Sequence, residues 1–371
     1  MVKNLDADVV IIGGGPAGLC TALELAQKKI TVILCEAKNF PIDKACGEGL
    51  MPEGVGHLKR LGVLNFLDQS QFSIFTGVSL INTHNQKATS NFNKHHGVGI
   101  RRLALSQALY ERASQEHNIK ILSSTRVNKI NNNSSHMLVN TSAGNINSRL
   151  IVGADGLRSQ VRRWAGLEDK SRAFMRYGIR RHFNTKHESK HVEVYFAPGL
   201  EAYVTPCGPE QINVAFLWSK DSRFNLNFEN LLSFFPVLSN KLVNSRVLSE
   251  ERAIGPLEYR SKSPVAPGIA LVGDAAGYLD AITGEGNSVA MSCAHALAQT
   301  VSAALNTSSG IISQYSLINY KLAYYNLVKK YYRNTRLFLH VARFSNMLNF
   351  LINWGARNPR AFSWVINKMR N

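Results

Sequence analysis

The run A-D-V-V-I-I-G-G-G-P-A-G at residues 7–18 constrains this chain more than any other feature. A short apolar segment that ends abruptly in glycines reads as a buried parallel strand. Apolar residues then recur at helical spacing from Ala17 to Lys28, and a second apolar run, Ile30–Cys35, ends at Glu36. Together they predict a βαβ unit of about thirty residues. Gly13, Gly15 and Gly18 fall in the G-x-G-x-x-G spacing directly after the first strand. In that spacing the first glycine permits the tight turn, the second lets backbone approach a pyrophosphate, and the third lets helix pack closely on sheet. Pro16 and Ala17 lie between the second and third glycines, at the helix N-terminus, where N–H groups and the positive dipole end favour phosphate. Glu36 closes the second strand eighteen residues after Gly18, where a carboxylate accepts from a ribose 2′-hydroxyl and repels a 2′-phosphate. The unit therefore expects a dinucleotide, with NAD and FAD both still open.

A chain of 371 residues with 45% hydrophobic and 18% charged residues has the composition of a globular enzyme with a sizeable core. Further strands are predicted at Ile121–Ser123, Leu150–Gly153 and Ile269–Val272, with helices at Leu103–Gln115 and from Gly286 onward. Residues 171–260 change character: His191–Phe196, Ala202–Thr205 and Ile212–Leu217 read as strands, broken at Pro198-Gly199 and across Pro206–Pro209. The polar patch Asn131–Ser135 reads as a hairpin turn. The expected fold class is α/β: a Rossmann-type domain with a parallel sheet, an inserted, mainly antiparallel β-sheet substrate domain, and a helical C-terminal tail. The corresponding ranges are 1–75, 95–170 and 262–310 for the nucleotide domain, 76–94 and 171–261 for the substrate domain, and 311–371 for the tail.

Three more segments separate FAD from NAD. Ile100–Leu109 (I-R-R-L-A-L-S-Q-A-L) resembles the R-x-x-L-x-x-x-L segment of flavoprotein hydroxylases. Gly153–Arg163 (G-A-D-G-L-R-S-Q-V-R-R) resembles their D-G motif, with Asp155 at the acidic position. Gly273-Asp274-Ala275-Ala276, followed by Gly284-Glu285-Gly286-Asn287, resembles their second FAD motif. The chain thus looks like the flavoproteins of the para-hydroxybenzoate-hydroxylase fold over about residues 7–305, and within them it most resembles the geranylgeranyl reductase branch. The resemblance implies that Arg102 contacts the flavin pyrophosphate region, that Asp274 accepts from the ribityl chain, and that Val127 meets the adenine through its backbone. It also implies that the helix starting near Gly286, with Gly284 and Asn287, aims its dipole at the part of the flavin that becomes negative on reduction. One departure is visible: the branch usually carries Pro before the T-G-E-G run, where this chain has Ala281.

The sharpest branch-level segment is Pro41–Pro52 (P-I-D-K-A-C-G-E-G-L-M-P), which resembles the C-G-x-G-L segment of geranylgeranyl reductases. Lys44 and Cys46 are expected beside the flavin, with Gly47 and Gly49 allowing close approach. Cys46 is the candidate catalytic residue, as a thiol that positions substrate or relays a proton, or else a small filler in a glycine-rich loop. Tyr203, Thr205, Pro206 and Trp218 are expected to line the substrate sheet, Tyr203 and Trp218 as substrate-binding residues, or else to be ordinary core. His57, His95 and His96 are the histidines that invite a catalytic reading, although the last two fall in a polar loop. No metal-ligand spacing occurs, and no second G-x-G-x-x-G. The resemblance implies that NAD(P)H or a protein electron donor serves as a transient reductant.

Three functions remain open at this point. One is a reductase of double bonds in an isoprenoid or lipid-like substrate. A second is a monooxygenase acting on an aromatic or polyketide-like molecule, which needs a closed, dry pocket. The third is a non-catalytic flavin-binding, membrane-associated protein. The W-x-W-x-I-P segment of flavin halogenases is absent.

The formal net charge is +18, and no acidic residue follows Glu285. The tail mixes aromatic and basic residues in Lys321–Tyr332, and Phe338, Val341, Phe344, Leu348 and Leu351 recur at helical spacing. It is expected either to rest on an anionic membrane surface or to cover the nucleotide domain with a solvated basic face. A nucleic-acid partner is not expected, since no nucleic-acid motif accompanies the charge. Five scattered cysteines, no signal-peptide layout and no apolar run long enough to span a bilayer lead to an expected cytoplasmic location, peripheral at most to the inner membrane face.

Overall fold

The computed structural model describes residues 5–93, 95–133, 135–171, 175–220, 227–307 and 309–370. In chain order the elements that frame the site begin with β1 (Val9–Ile12), α1 (Pro16–Ala26), β2 (Val32–Cys35), β3 (Gly77–Ile81) and β4 (Lys87–Asn91). They continue through α2 (Arg102–Ser114), β5 (Ile119–Leu122), β6 (Val127–Asn133), β7 (Leu150–Gly153) and α3 (Gln160–Trp164). Then come β8 (Arg176–Asn184), β9 (His191–Ala197), β10 (Leu200–Gly208), β11 (Gln211–Ser219) and β12 (Ile269–Leu271). The chain ends in α4 (Gly286–Thr307), α5 (Ile318–Arg343), α6 (Ser345–Arg357) and α7 (Pro359–Arg370).

β1 is the centre of a parallel sheet, with Val9 paired to Val32 of β2 on one side and to Leu150 of β7 on the other. Strand order runs from β12 through β7, β1 and β2 to β5, and the antiparallel strand Val265–Ala266 closes the β12 edge. The four residues of β1 are at most 7% exposed, because helices and the small antiparallel sheet of residues 127–148 pack on the parallel sheet in one core. β5 begins at Ile119, two residues before the expected strand: Ile119 pairs with Val32, and the exposed Lys120 interrupts the apolar run that sequence alone can follow. The expected turn around Asn131–Ser135 joins β6 to the strand His136–Thr141, although Asn131–Asn133 already belong to β6 and Ser134 lies outside the described residues.

The second sheet runs β8-β11-β10-β9-β3-β4, with the short strands Arg246–Val247 and Arg252–Ile254 paired to the outer side of β8, and is antiparallel throughout except for β9 against β3. Pro206 does not break β10. The strand continues to Gly208, with a register shift between Pro206 and Gly208 that removes the need for a ladder N–H at the proline. On one face Phe216 and Trp218 pack against the helical segments Phe228–Leu232 and Pro236–Leu242.

The tail divides its contacts between both sheets. Three tyrosines of α5 are buried and donate to nucleotide-domain carbonyls: Tyr320 to Leu271 at 2.6 Å, Tyr324 to Ala276 at 3.1 Å and Tyr331 to Asp280 at 2.6 Å. Helices α6 and α7 instead cover β4, placing Leu348, Ile352 and Phe362 in one core with Leu80, Ala88 and Phe196. Phe338, Val341 and Leu351 pack half-buried on that core, whereas Phe344 is exposed. The tail thus covers the nucleotide domain with α5, and its second half also closes the edge of the substrate sheet at β4, a covering that keeps an edge strand from pairing with other chains.

Candidate active site

Two of the three motif glycines are demanded by the protein itself. Gly13 has φ +107°, and a Cβ there would lie 2.5 Å from the Ala154 carbonyl oxygen. A Cβ on Gly18 would lie 1.9 Å from the Gly13 carbonyl oxygen. Gly15 differs: the nearest atom a Cβ would meet is a terminal nitrogen of Arg102, at 3.6 Å. Gly15 caps α1 in extended conformation with no side-chain hydrogen bond to the first turn. The space above it is therefore kept open for something that is not protein, and it adjoins the free N–H groups of a helix N-terminus.

Glu36 ends β2 and ties the turn together. One carboxylate oxygen accepts from the Gly14 amide at 2.7 Å and the other from Lys38 at 2.9 Å. The Glu36 carbonyl accepts from Thr125 at 2.7 Å, which draws the chain leading into Val127, the half-buried first residue of β6, alongside the end of β2.

Arg102 opens α2 and is 7% exposed. Its amide donates to Glu48 at 2.8 Å, while its side-chain Nε is buried and has no hydrogen-bond partner. A buried guanidinium nitrogen without a partner is costly unless an anion satisfies it. Across the same cavity, Asp274 stands in the turn after β12 and pairs with Lys44 at 3.0 Å. The first turn of α4 completes this side. Gly284, Gly286, Asn287 and Ala281 line the cavity together with Gly15, Pro16, Ala17, Lys44 and Gly47, and the enclosed volume is about 240 Å³.

An open glycine, an uncapped helix N-terminus, an unsatisfied arginine and an aspartate at the far end fit FAD: diphosphate at Gly15 and Arg102, ribityl hydroxyls at Asp274. Arg102→Ala is accordingly expected to weaken FAD about tenfold to a hundredfold, the worth of one lost charge-assisted hydrogen-bonding group. Its fold should survive, because the Glu48 contact uses the backbone amide. Equilibrium dialysis of FAD against the variant checks this.

The Cys46 loop lies at the junction of the two sheets. The Cys46 carbonyl accepts from Asn213 of β11 at 2.8 Å, and its sulfur accepts from the Glu48 amide at 3.3 Å. Asn287 Nδ2 stands 4.0 Å from the same sulfur. Glu48 is the residue that sequence reasoning missed. It lies inside the quoted C-G-E-G-L run, is 4% exposed, and is held at φ +61°. Its second carboxylate oxygen meets His182 Nε2 at 2.7 Å, and His182 Nδ1 meets Ser249 at 2.8 Å. Cys207 completes the cluster, its thiol held well above the ordinary range by burial and by Glu48. A protonated thiol and a directly bonded Glu48–His182 pair make this a brace joining the Cys46 loop, the start of α2 and the substrate sheet. Nearby, burial would raise the Asp43 carboxyl, but Arg180 and Arg252 outweigh it and hold it below the usual range.

On the substrate side Tyr203 and Thr205 line the cavity with Phe75, Val78, Val192, Val194 and Ile282. The Tyr203 hydroxyl lies 3.2 Å from a Glu201 carboxylate oxygen and 3.3 Å from the Ile282 carbonyl. Three expectations are corrected. Trp218 is not at the cavity: it lies on the opposite face of β11, stacked on Tyr177 among core residues, because neighbouring strand positions face opposite ways and Leu217 takes the cavity side. Pro206 turns its carbonyl onto Gly99 rather than into the cavity. Asp155 does not line the cavity either: its carboxylate accepts from Gln160 at 2.7 Å and Val161 at 3.1 Å, capping α3, while its other oxygen is buried without a partner. His57 bonds to Ser292 and Arg60 on the outer side, and His95 and His96 are exposed. All five cysteines are free thiols, and of these Cys46 alone lines the cavity.

Comparison with known proteins agrees with this geometry. The sequence matches the FAD binding domain family over residues 6–226. A menaquinone reductase of Mycolicibacterium smegmatis is 48% identical over 65 residues, which is 18% of this chain and only 16% of that protein's length. Digeranylgeranylglycerophospholipid reductase 2 of Methanosphaera stadtmanae is 23% identical, covering 76% of this chain and 74% of that protein. Among solved structures, a geranylgeranyl bacteriochlorophyll reductase-like protein from Thermoplasma acidophilum superposes with a TM-score of 0.78 at 18% identity, over 94% of this chain and 91% of that one. A flavin-dependent brominase superposes with a TM-score of 0.79 at 19% identity, over 98% and 93%, a likeness of fold. The matched stretch carries the glycine turn, Arg102 and the Cys46 loop, and the chain accordingly belongs to the FAD binding domain family as an FAD-dependent oxidoreductase.

Proposed function

We propose that this enzyme reduces carbon–carbon double bonds of an isoprenoid or lipid-like substrate. The observation that carries the reading is the continuity of the cavity. The groove at Gly15, Arg102 and Asp274 runs past Cys46 into a compartment walled mostly by apolar side chains, Phe75, Val78, Val192, Val194 and Ile282, with Tyr203 and Thr205 beside them. Curated relatives include digeranylgeranylglycerophospholipid and menaquinone reductases, both of which act on lipid-soluble molecules by their names.

Reduced FAD supplies the hydride for such a reaction. The chain's own residues do the rest. Arg102, the α1 N-terminus and Asp274 bind and orient the cofactor, with Glu36 and the Val127 backbone toward its adenosine end. Lys44 holds the Asp274 carboxylate in place. Cys46, fixed through its backbone by Asn213 and braced by Glu48, holds a thiol proton at the apolar compartment and delivers it to the carbon opposite the hydride. NAD(P)H or a protein donor visits transiently, as no second dinucleotide turn occurs in the sequence. With donor and substrate supplied anaerobically, full turnover is expected. A strict oxygen requirement overturns the reading in favour of a monooxygenase.

The proposed place of action is the cytoplasmic face of an anionic membrane. No helix among the described residues is long and apolar enough to cross one. The tail helices nevertheless expose Phe350 at 72% and Trp364 at 63% among basic residues with no acidic partner in the tail. Each Lys or Arg near an anionic surface contributes about 1 kcal/mol of attraction. Because the tail also builds core, the test keeps it: the F350S/W364S double variant is expected to lose co-flotation with phosphatidylglycerol vesicles while keeping its flavin. Undiminished flotation removes the tail from this role.

A further inference from the structure

A second cavity, of about 80 Å³, lies between strands β3, β4 and β9 and the tail helices α5 and α7. Its wall shares Met51, Val78, Val194, Ile282 and Thr283 with the flavin-side cavity, so the two are neighbouring compartments. Beyond those residues it is walled by Leu80, Phe196, Phe338, Phe362, Ile366 and Met369.

Asn334 and Ser90 on its wall help fasten the tail, while Glu285 and Thr283, whose buried hydroxyl has no hydrogen-bond partner, also line it. Asn334 of α5 donates to the Met369 carbonyl of α7. Ser90 meets Ser363 at 3.4 Å, and Asn367 donates to the Asn91 carbonyl at 2.8 Å. These bonds pin α5 and α7 to each other and α7 to the edge strand, while the space they frame is lined mostly by aliphatic and aromatic groups. Protein interiors are close-packed, and a lined but unfilled apolar space forgoes contacts that a fitting apolar group would regain. Water gains little there, with few polar partners to bind it.

Building on the reductase reading, we infer that this second compartment binds the apolar end of a long-chain substrate while the reacting double bond lies beside Cys46. The tail would then set chain-length preference. Its contribution comes from residues 334–369, beyond the residues 6–226 that match the FAD binding domain family.

Calorimetric titration of the full-length, flavin-loaded protein with geranylgeraniol and with geraniol tests this. Wild type is expected to bind the longer alcohol at least about tenfold more tightly, a modest share of what its extra buried carbons offer. Ile366→Trp, which fills the compartment from α7, is expected to abolish that preference and leave geraniol affinity unchanged. Phe338→Ala, which enlarges it, is expected to keep or raise the preference. Equal affinities in wild type, a preference that survives Ile366→Trp, or a preference lost in Phe338→Ala overturns the assignment. Chain-length-dependent binding without anaerobic reduction overturns the reductase reading and leaves the compartment standing. Reduction of both alcohols with no length preference does the reverse.

Discussion

Gly15→Val is expected to purify folded and without flavin. The valine Cβ meets nothing in the protein closer than 3.6 Å, so the turn and α1 have no steric reason to move. Its methyl groups instead occupy the space reserved for the cofactor diphosphate and screen the N–H groups of the helix N-terminus. A loss of at least about a hundredfold in FAD affinity, about 3 kcal/mol, is expected. Gly18→Val is the contrasting variant. Its Cβ would stand 1.9 Å from a backbone oxygen, so the helix must leave the sheet and the protein should fail to fold. Flavin absorbance and circular dichroism of the two proteins decide the matter. Flavin content equal to wild type in folded Gly15→Val would remove the diphosphate from this turn.

The second large effect concerns pH. Asp280 is 1% exposed at the start of the A-I-T-G-E-G loop. Arg176 serves two carboxylates at once, Glu201 at 2.7 Å and Asp280 at 3.5 Å, and the second Asp280 oxygen has no partner. Burial, with Glu201 added to it and Arg176 opposing, pushes the Asp280 carboxyl up to about 6 from an ordinary value of 3.8. A raised folded-state value means that the folded protein holds a proton the unfolded chain has already released. The resulting stability is complete below about pH 4 and is lost as pH rises through about 6, a change of about 3 kcal/mol. Asp280→Asn removes this titration. Between about pH 4 and pH 7 the unfolding free energy of wild type is therefore expected to fall by about 2 kcal/mol relative to the variant. Parallel denaturation curves at the two pH values would show that Asp280 titrates normally. The result bears on the site, because the Asp280 backbone is also anchored by Tyr331, and Ala281 to Gly284 line the cavity.

How much of this was legible beforehand depends on how local each feature is. The βαβ unit, Arg102 and the Asp274 turn are short-range patterns, and the structure brings them to one groove. Tyr203 and Trp218 looked equivalent as aromatic residues in strands. They part because each strand presents alternate residues to opposite faces, and only the pairing of β10 and β11 shows which face meets the cavity. Glu48 looked like spacer between glycines because its partner, His182, is 134 residues away. Asp155 was legible as a motif, yet its carboxylate caps α3 beside the groove.

The sequence by itself determined that a dinucleotide binds, because its turn needs particular residues at fixed spacing within one stretch of chain, and three further segments that resemble flavoprotein motifs narrowed it to FAD. It also marked the strands and helices of the βαβ unit and of the central antiparallel hairpins, but not Gly77–Ile81, Lys87–Asn91 or Arg176–Asn184. Only the tertiary structure decided what the site contains beyond the cofactor: the Glu48 brace, the shared arginine at Asp280 and the second apolar compartment. Each is made by side chains that sheet register and helix docking bring together from distant positions, and such contacts leave no periodic trace along the chain.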